Sequence, residues 1–396
     1  MTLRDDARAL SDDLIRLRRE IHREPEVGLR LPRTQERVLA ALDGLPLEIR
    51  TGKSLDSVTA VLRGGSPGPT VLLRGDMDAL PVTEKTGLPY AASNGAMHAC
   101  GHDLHTAGLV GAARLLSARR DRLSGNVIFM FQPGEEGFDG AGHMIAEGVL
   151  EASGDRPVAA YAVHVSTEYA TGTFHSRTGT LMAASAVFDA TVNGAGGHGA
   201  SPHKAKDPVP VVAELVGALQ TMVTRRFDVF DPVVVTVGRL QAGEAANVIP
   251  DHATLGATVR GFSPEVLHKA EREIRRLVEH VGLAHGVEVA LDFEYQYPAT
   301  VTDADETALA QRAVEDVFGS FETLAAPKTG AEDFSRVLAE VPGAFVFVGA
   351  ADLTSGPVPS NHSPLARFDD AVIADAATLL AELATRRLAA AGSAVP

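Results

Sequence analysis

The chain has 396 residues, 45% apolar and 22% charged, the composition of a globular protein large enough for two or three domains. Its 51 acidic and 36 basic residues give a net charge of −15, and no dense basic run interrupts it, which excludes nucleic acid as a partner. A single cysteine rules out an intrachain disulfide and fits a reducing compartment. No window approaches the roughly 18 apolar residues of a membrane span, and the acidic start MTLRDDARALSDDL lacks the apolar core of a signal peptide. The expectation is a soluble, cytoplasmic protein with no membrane partner.

Leu10, Leu14, Leu17 and Ile21 recur at helical spacing until Pro25, which predicts one N-terminal helix. Residues 70–73 read as a buried strand ending in Arg74-Gly75-Asp76-Met77-Asp78, followed by a helix over about 104–120. Residues 126–131 form a strand that runs into Gln132-Pro133-Gly134-Glu135-Glu136-Gly137. The strand 158–163 ends at His164, and 344–348 ends at Gly349. A last helix spans about 370–391. This alternation predicts an α/β architecture with a mixed, mostly parallel sheet and flanking helices.

Residues 183–298 follow another pattern. Strands are expected at 186–193, 233–240, 253–260 and 287–297. Asp207-Pro208 opens one helix by cap and first-turn proline. Ser263-Pro264-Glu265 opens another, with Val266, Ala270, Ile274, Leu277 and Val281 on one face. The order is βαββαβ, that of a ferredoxin-like domain. A helix near 302–318 resumes the first pattern. The expected division is a discontinuous catalytic domain, 1–182 and 299–396, interrupted by an inserted domain at 183–298.

Ligands of open α/β sheets bind beyond the carboxyl ends of the strands. Those ends carry Asp76, Asp78, Glu135, Glu136 and His164. The densest cluster is Met97-His98-Ala99-Cys100-Gly101-His102-Asp103-Leu104-His105. Thiolate and imidazole suit zinc and other late first-row metals. Cys100 and His102 fill only part of a shell, so Glu136, His164 and another histidine are candidates to complete it. The plainer alternative for Cys100 is a small buried hydrophobe. Glu135 and Glu136, as neighbours on an extended segment, would point opposite ways, one to a metal and the other to the attacking water. An acidic turn is the competing reading. Gly194 to His203 is glycine-rich without a phosphate-loop ending, and His198 there can donate to a developing oxyanion. Arg260, at a strand end, is either a carboxylate grip or a surface charge.

Together these motifs, in order with Arg74 to Pro81, Asn247-Val248-Ile249-Pro250-Asp251, Glu332-Asp333-Phe334 and His362-Ser363-Pro364, resemble the amidohydrolase branch of the aminoacylase and carboxypeptidase di-metal metallopeptidase superfamily. That branch includes hippurate hydrolases, N-acyl-amino-acid amidohydrolases and plant auxin-conjugate hydrolases. The resemblance spans roughly residues 12–380. It implies a di-zinc exopeptidase-like catalytic domain and a lid that also makes a homodimer or dimer-based oligomer. It implies two divalent metal ions, zinc foremost, with manganese, cobalt or nickel as alternatives. Carried over, Cys100 bridges the metals and His102, Glu136, His164 and His362 complete the shells. Glu135 is general base and acid, Asp78 orients a ligand, and His198 stabilises the oxyanion, within one subunit or across the dimer. Asn247 and Arg260 hold the carboxylate of a small N-acyl amino acid.

Two segments depart from the family pattern. Val27 to Pro32 lacks an acidic residue, and Asn361 precedes His362 where leucine is more usual. Neither is expected to touch a ligand. The rival readings are a dipeptidase or carboxypeptidase using the same site, and a non-catalytic metal-binding module, against which the retained Glu135 speaks.

Overall fold

The computed structural model describes residues 2–351 and 358–392. Residues 1, 352–357 and 393–396, all within the expected catalytic domain, lie outside the described residues. In chain order the elements are α1 (Leu3–Ala9), α2 (Ser11–Arg23), α3 (Pro32–Leu42), β1 (Leu47–Thr51), β2 (Val58–Arg63), β3 (Ser66–Asp76), α4 (His102–Ser117), β4 (Ser124–Gln132), α5 (Gly140–Ala146), β5 (Ala159–Ala170), β6 (Phe174–Ser176) and β7 (Gly179–Met182). There follow β8 (Ala184–Asn193), β9 (Gly197–His198), α6 (Pro208–Arg226), β10 (Val233–Ala242), β11 (Val248–Ile249), β12 (His252–Gly261), α7 (Pro264–His285) and β13 (Glu288–Tyr297). The chain closes with β14 (Thr300–Thr302), α8 (Ala304–Phe318), β15 (Glu322–Thr323), α9 (Ser335–Glu340), β16 (Gly343–Ala351) and α10 (Val372–Gly392).

The chain divides into two compact units. Unit 1 comprises residues 1–179, 301–326 and 333–396, and unit 2 comprises 180–300 and 327–332.

Unit 1 is built on an eight-stranded sheet in the order β1-β2-β4-β3-β5-β16-β6-β15. The middle strands β4, β3, β5 and β16 run parallel, while β1, β2 and β6 pair antiparallel with their inner neighbours. The parallel strands are buried on both faces, as continuous apolar runs such as Val127 to Phe131 require. Helix α4 packs on α10 and β3 and is buried almost throughout, which explains its Ala- and Gly-rich sequence. It begins at His102, two residues before the apolar pattern suggested. The expected single N-terminal helix is two, α1 and α2, broken at Leu10, whose N–H turns back to Ala7.

Unit 2 has a four-stranded antiparallel sheet in the order β10-β12-β8-β13, with α6 and α7 packed on it. The caps read in the sequence are formed. Asp207 accepts from Val209 N–H at the start of α6, and Ser263 from Val266 N–H at the start of α7. The core is Phe188, Val192, Leu215, Leu219, Leu255 and Ile274 with their neighbours.

One charge lies at the centre of unit 1. Arg74, fully buried within β3, donates from Nη1 to Asp76 at 2.7 Å, from Nη2 to Asp333 at 3.0 Å and from Nε to Gln132 at 2.8 Å. Asp333 also receives Gln132 Nε2 and the N–H of Ala141. Replacing Arg74 by methionine leaves two carboxylates buried without their cation. The expected loss is about 3–5 kcal/mol of unfolding free energy, read by urea denaturation; an unchanged midpoint would show that the pairing contributes nothing.

Candidate active site

Strands β3, β4 and β5 deliver the site. β3 ends at Asp76, and the following loop carries Asp78. β4 ends at Gln132, and its next turn carries Glu135 and Glu136. Met77 N–H donates to the Gln132 carbonyl at 2.7 Å and ties these two exits together. β5 does not stop at His164 as expected but continues to Ala170. Its ladder with β3 reaches Ala162, opposite Arg74, and the same register sets His164 level with Asp76 at the end of β3, while β16 pairs alongside it.

Gly101 allows the Cys-x-His spacing to work. It adopts φ +85, and a Cβ there would lie 2.3 Å from Val165 Cγ2. Only glycine lets this loop lie against β5 while Cys100 and His102 turn towards one centre.

Two imidazoles are held from behind by backbone oxygens. His102 Nδ1 donates to the Asp78 carbonyl at 3.0 Å, and His164 Nδ1 to the Val165 carbonyl at 2.8 Å. A carbonyl only accepts, so each Nδ1 carries a proton and Nε2 is the nitrogen turned inward. His164 Nε2 lies 3.5 Å from Cys100 Sγ. His362 Nε2 lies 3.3 Å from the same sulfur and 3.2 Å from Glu136 Oε1. The result is two donor sets, Cys100–His102–His164 and Cys100–Glu136–His362, each with its ligand atoms within 4.8 Å of one another. They share one sulfur. His102 Nε2 is buried and makes no hydrogen bond, a nitrogen left without a partner at the centre. Thiolate, imidazole and carboxylate around such an atom fit divalent zinc or its first-row neighbours.

Glu135 and Glu136 sit in a turn, not on the extended segment expected, and their side chains do not diverge. Glu135 Oε2 and Glu136 Oε1 lie 3.9 and 4.0 Å from His102 Nε2. The turn is fixed by Asp78, whose two carboxylate oxygens accept the N–H groups of Glu135 and Glu136, each at 3.0 Å. Asp78 therefore places His102 through its carbonyl and both glutamates through its side chain.

Sequence reasoning missed two further groups. His105 Nδ1 is 2.6 Å from Asp76, and His105 Nε2 accepts the N–H of Val165 at 2.8 Å. The signal available was its place one helical turn after His102. Asn361 was expected to touch no ligand. In the structure its Nδ2 reaches the carbonyl of Cys100 and approaches its sulfur, because the turn bearing His362 lies directly on the Cys100 loop.

The electrostatics follow from crowding. Burial alone would raise the Asp76 carboxyl, but Arg74 and the imidazoles of His102 and His105 hold it well below the carboxylate range. Burial opposes the charge on His102, yet Asp76 and Asp78 raise its pKa well above the ordinary value. Burial and the neighbouring His105 push His164 well down. The hydrogen bond to Cys100, reinforced by Glu136, pushes His362 up to about 10. Protons on His102 and His362 thus balance anionic donors, and a bound cation replaces such protons.

The other candidates lie in unit 2. β9 pairs with β11, so His198 stands opposite Val248, and the Asn247 carbonyl accepts from Gly199 N–H at 2.9 Å. His198 and Asn247 are therefore neighbours. Arg260 is not with them. It lies at the far end of β12, eight residues beyond His252, or about 26 Å along the strand.

The chain matches the model of Peptidase family M20/M25/M40 over residues 72–386. It is 36% identical over 376 residues to thermostable carboxypeptidase 1 of Saccharolobus solfataricus, covering 94% of each chain. It is 36% identical over 381 residues to N-acetyl-L-cysteine deacetylase of Bacillus subtilis, covering 96% of this chain and 89% of that one. Among solved structures, the YXEP protein of Bacillus subtilis, a dinuclear metal binding peptidase from the M20 family, aligns with TM-score 0.82 and 31% identity over 96% of this chain and 99% of its own. The chain belongs to Peptidase family M20/M25/M40. It is a hydrolase of amide bonds. No helix among the described residues is long and apolar enough to cross a membrane.

Beneath the site, His98 is buried with neither ring nitrogen hydrogen-bonded, and burial pushes its pKa down to about 4. The unfolded chain takes up a proton at this residue near pH 6.5, which the folded chain refuses until about pH 4. Its stabilising contribution is complete above pH 6.5 and is lost as pH falls through that window, by about 3 kcal/mol in all. Metal-free protein should show this slope in its unfolding free energy, and His98→Leu should flatten it; equal slopes would contradict a neutral His98.

Proposed function

We infer that the protein cleaves the amide bond of N-acyl amino acids, releasing a carboxylate and a free amino acid. The observation that carries this reading is the pair of donor sets sharing Cys100 Sγ, with the Glu135 carboxylate beside them. Cys100, His102 and His164 would hold one divalent ion, and Cys100, Glu136 and His362 a second. Zinc suits the set best. Such ions supply the positive charge that polarises the scissile carbonyl and makes water acidic enough to attack near neutral pH. Glu135, buried to 6% exposure, takes the proton of the attacking water and returns it to the leaving amine. Asp78 keeps His102 and the glutamate turn in place. His198 donates to the developing oxyanion.

Asn247 and Arg260 are assigned to the substrate carboxylate, and their separation bears on assembly. About 26 Å of β12 lies between His252, at the strand end that follows Asn247, and Arg260. A homodimer joined through residues 183–298 acting as lid, each copy giving one of the two residues, would reconcile that span with a single carboxylate. A lone thiol used as a ligand also suits the reducing cytoplasm.

Replacing Glu135 by glutamine is expected to leave metal content intact and to lower kcat by at least 10²-fold. Parental turnover of a good substrate by that variant would refute the mechanism. Cys100→Ser is expected to lower metal occupancy, read by elemental analysis. The likeness to a carboxypeptidase supports a second reading, cleavage of unblocked peptides. A panel of N-acetyl, N-benzoyl and free dipeptides separates the two, since a preference for a free amine would overturn the first.

A further inference from the structure

Asn361 stands where three ligand-bearing segments meet, and no role above uses it. Its amide oxygen accepts from Thr167 N–H at 3.1 Å and from Thr167 Oγ1 at 3.2 Å. Its Nδ2 lies 3.1 Å from the Val165 carbonyl, 3.3 Å from the Cys100 carbonyl and 3.8 Å from Cys100 Sγ. The amide has one permitted orientation. A backbone N–H only donates and a carbonyl only accepts, so a flip would oppose like groups on both sides. Two N–H bonds then serve two carbonyls and a sulfur.

Each Nδ2 contact leads to a donor of the metal sets. The Val165 carbonyl also receives His164 Nδ1 and so sets that ring. The Cys100 carbonyl and sulfur belong to the residue that both sets share. His362, next in the chain, has φ +70, which is unusual away from glycine. Such a conformation persists only where neighbours over-determine it. Here His362 N–H is fastened to the Ala99 carbonyl at 2.8 Å, and Asn361 fastens the preceding residue to β5.

We propose that Asn361 is a positioning residue of the metal centre: it clamps the His362 turn to the Cys100 loop and to β5, and it donates a hydrogen bond to the Cys100 sulfur. The proposal rests on the reading of Cys100, His164 and His362 as ligands. Its consequence is that donors from positions 100, 164 and 362 stand in place before a cation arrives, so metal binding does not have to order them.

Asn361→Asp keeps the shape and the Thr167 contacts but turns an acceptor towards the two carbonyls and the sulfur. Asn361→Leu removes every polar contact. The metal-free proteins are titrated with Zn²⁺ against a chromophoric chelator, and the Co²⁺-loaded proteins are compared by their sulfur-to-cobalt absorption band. The parent is expected to take up two equivalents. Both variants are expected to lose 10- to 100-fold in affinity for at least one of them, with a shifted or weakened band. Should the leucine variant fail to fold, the aspartate variant decides alone. Variants that melt earlier but bind metal with parental affinity and an unchanged band would show a merely structural residue and overturn the proposal. A parent that binds no metal would refute the ligand assignment and this inference together; a parent that binds two equivalents, matched by both variants, refutes this inference alone.

Discussion

One sulfur faces imidazoles drawn from separate stretches of chain, and backbone carbonyls set two of the rings around it. An imidazole is an unreliable ligand until its second nitrogen is committed. The Asp78 and Val165 carbonyls commit His102 and His164, which leaves Nε2 of each ring to face a cation once any proton there is displaced. Those carbonyls are themselves placed by the sheet. Asp78 follows β3, and Val165 lies in β5 between its neighbours. The apolar core of unit 1 therefore acts on the chemistry indirectly, by fixing the oxygens that fix the rings.

A second layer of charge supports the first. Arg74 is buried among Asp76, Asp333 and Gln132, and Asp76 passes its alignment to His105, which receives the Val165 N–H. Val165 is thus gripped through both its backbone groups: its N–H by His105, its carbonyl by His164 and Asn361. This network brings many polar groups into the interior, which is costly unless each is satisfied. Here Arg74, Asp76, Gln132, Asp333 and His105 satisfy one another, while His102 Nε2 and Glu136 Oε1, at the centre, have no hydrogen-bond partner.

Much of this was legible in the sequence where a local rule operates. Asp207-Pro208 and Ser263-Pro264 set helix starts because a cap needs only its own residue and the next three. Apolar runs ending in Asp76, Glu135 and His164 pointed to one sheet edge. The Cys-x-His spacing and the acidic pair marked donors. What was not legible depends on contacts between residues far apart in the chain. Arg74 looks like a charge that ends a strand, yet it is fully buried, because its partner Asp333 lies 259 positions away. Asn361 looked remote from the ligands because only the folded turn brings it to Cys100. The divergence expected of Glu135 and Glu136 failed because Asp78 bends that segment into a turn, a non-local pull that no period-two pattern reports.

The division of unit 1 into three stretches also governs how the protein is made. Unit 2 has all four strands of its sheet once residue 297 has left the ribosome. Unit 1 does not, because β16 pairs with β5 at the middle of its sheet and α10 covers α4 and β3. At roughly 5–20 residues per second, the remaining chain to residue 392 takes roughly 5–20 s to emerge. For the part of that interval before β16 is complete at residue 351, roughly 3–11 s, β5, with His164 upon it, is an apolar edge strand without its neighbour. The nascent chain thus carries an aggregation hazard in the same strand that later bears His164.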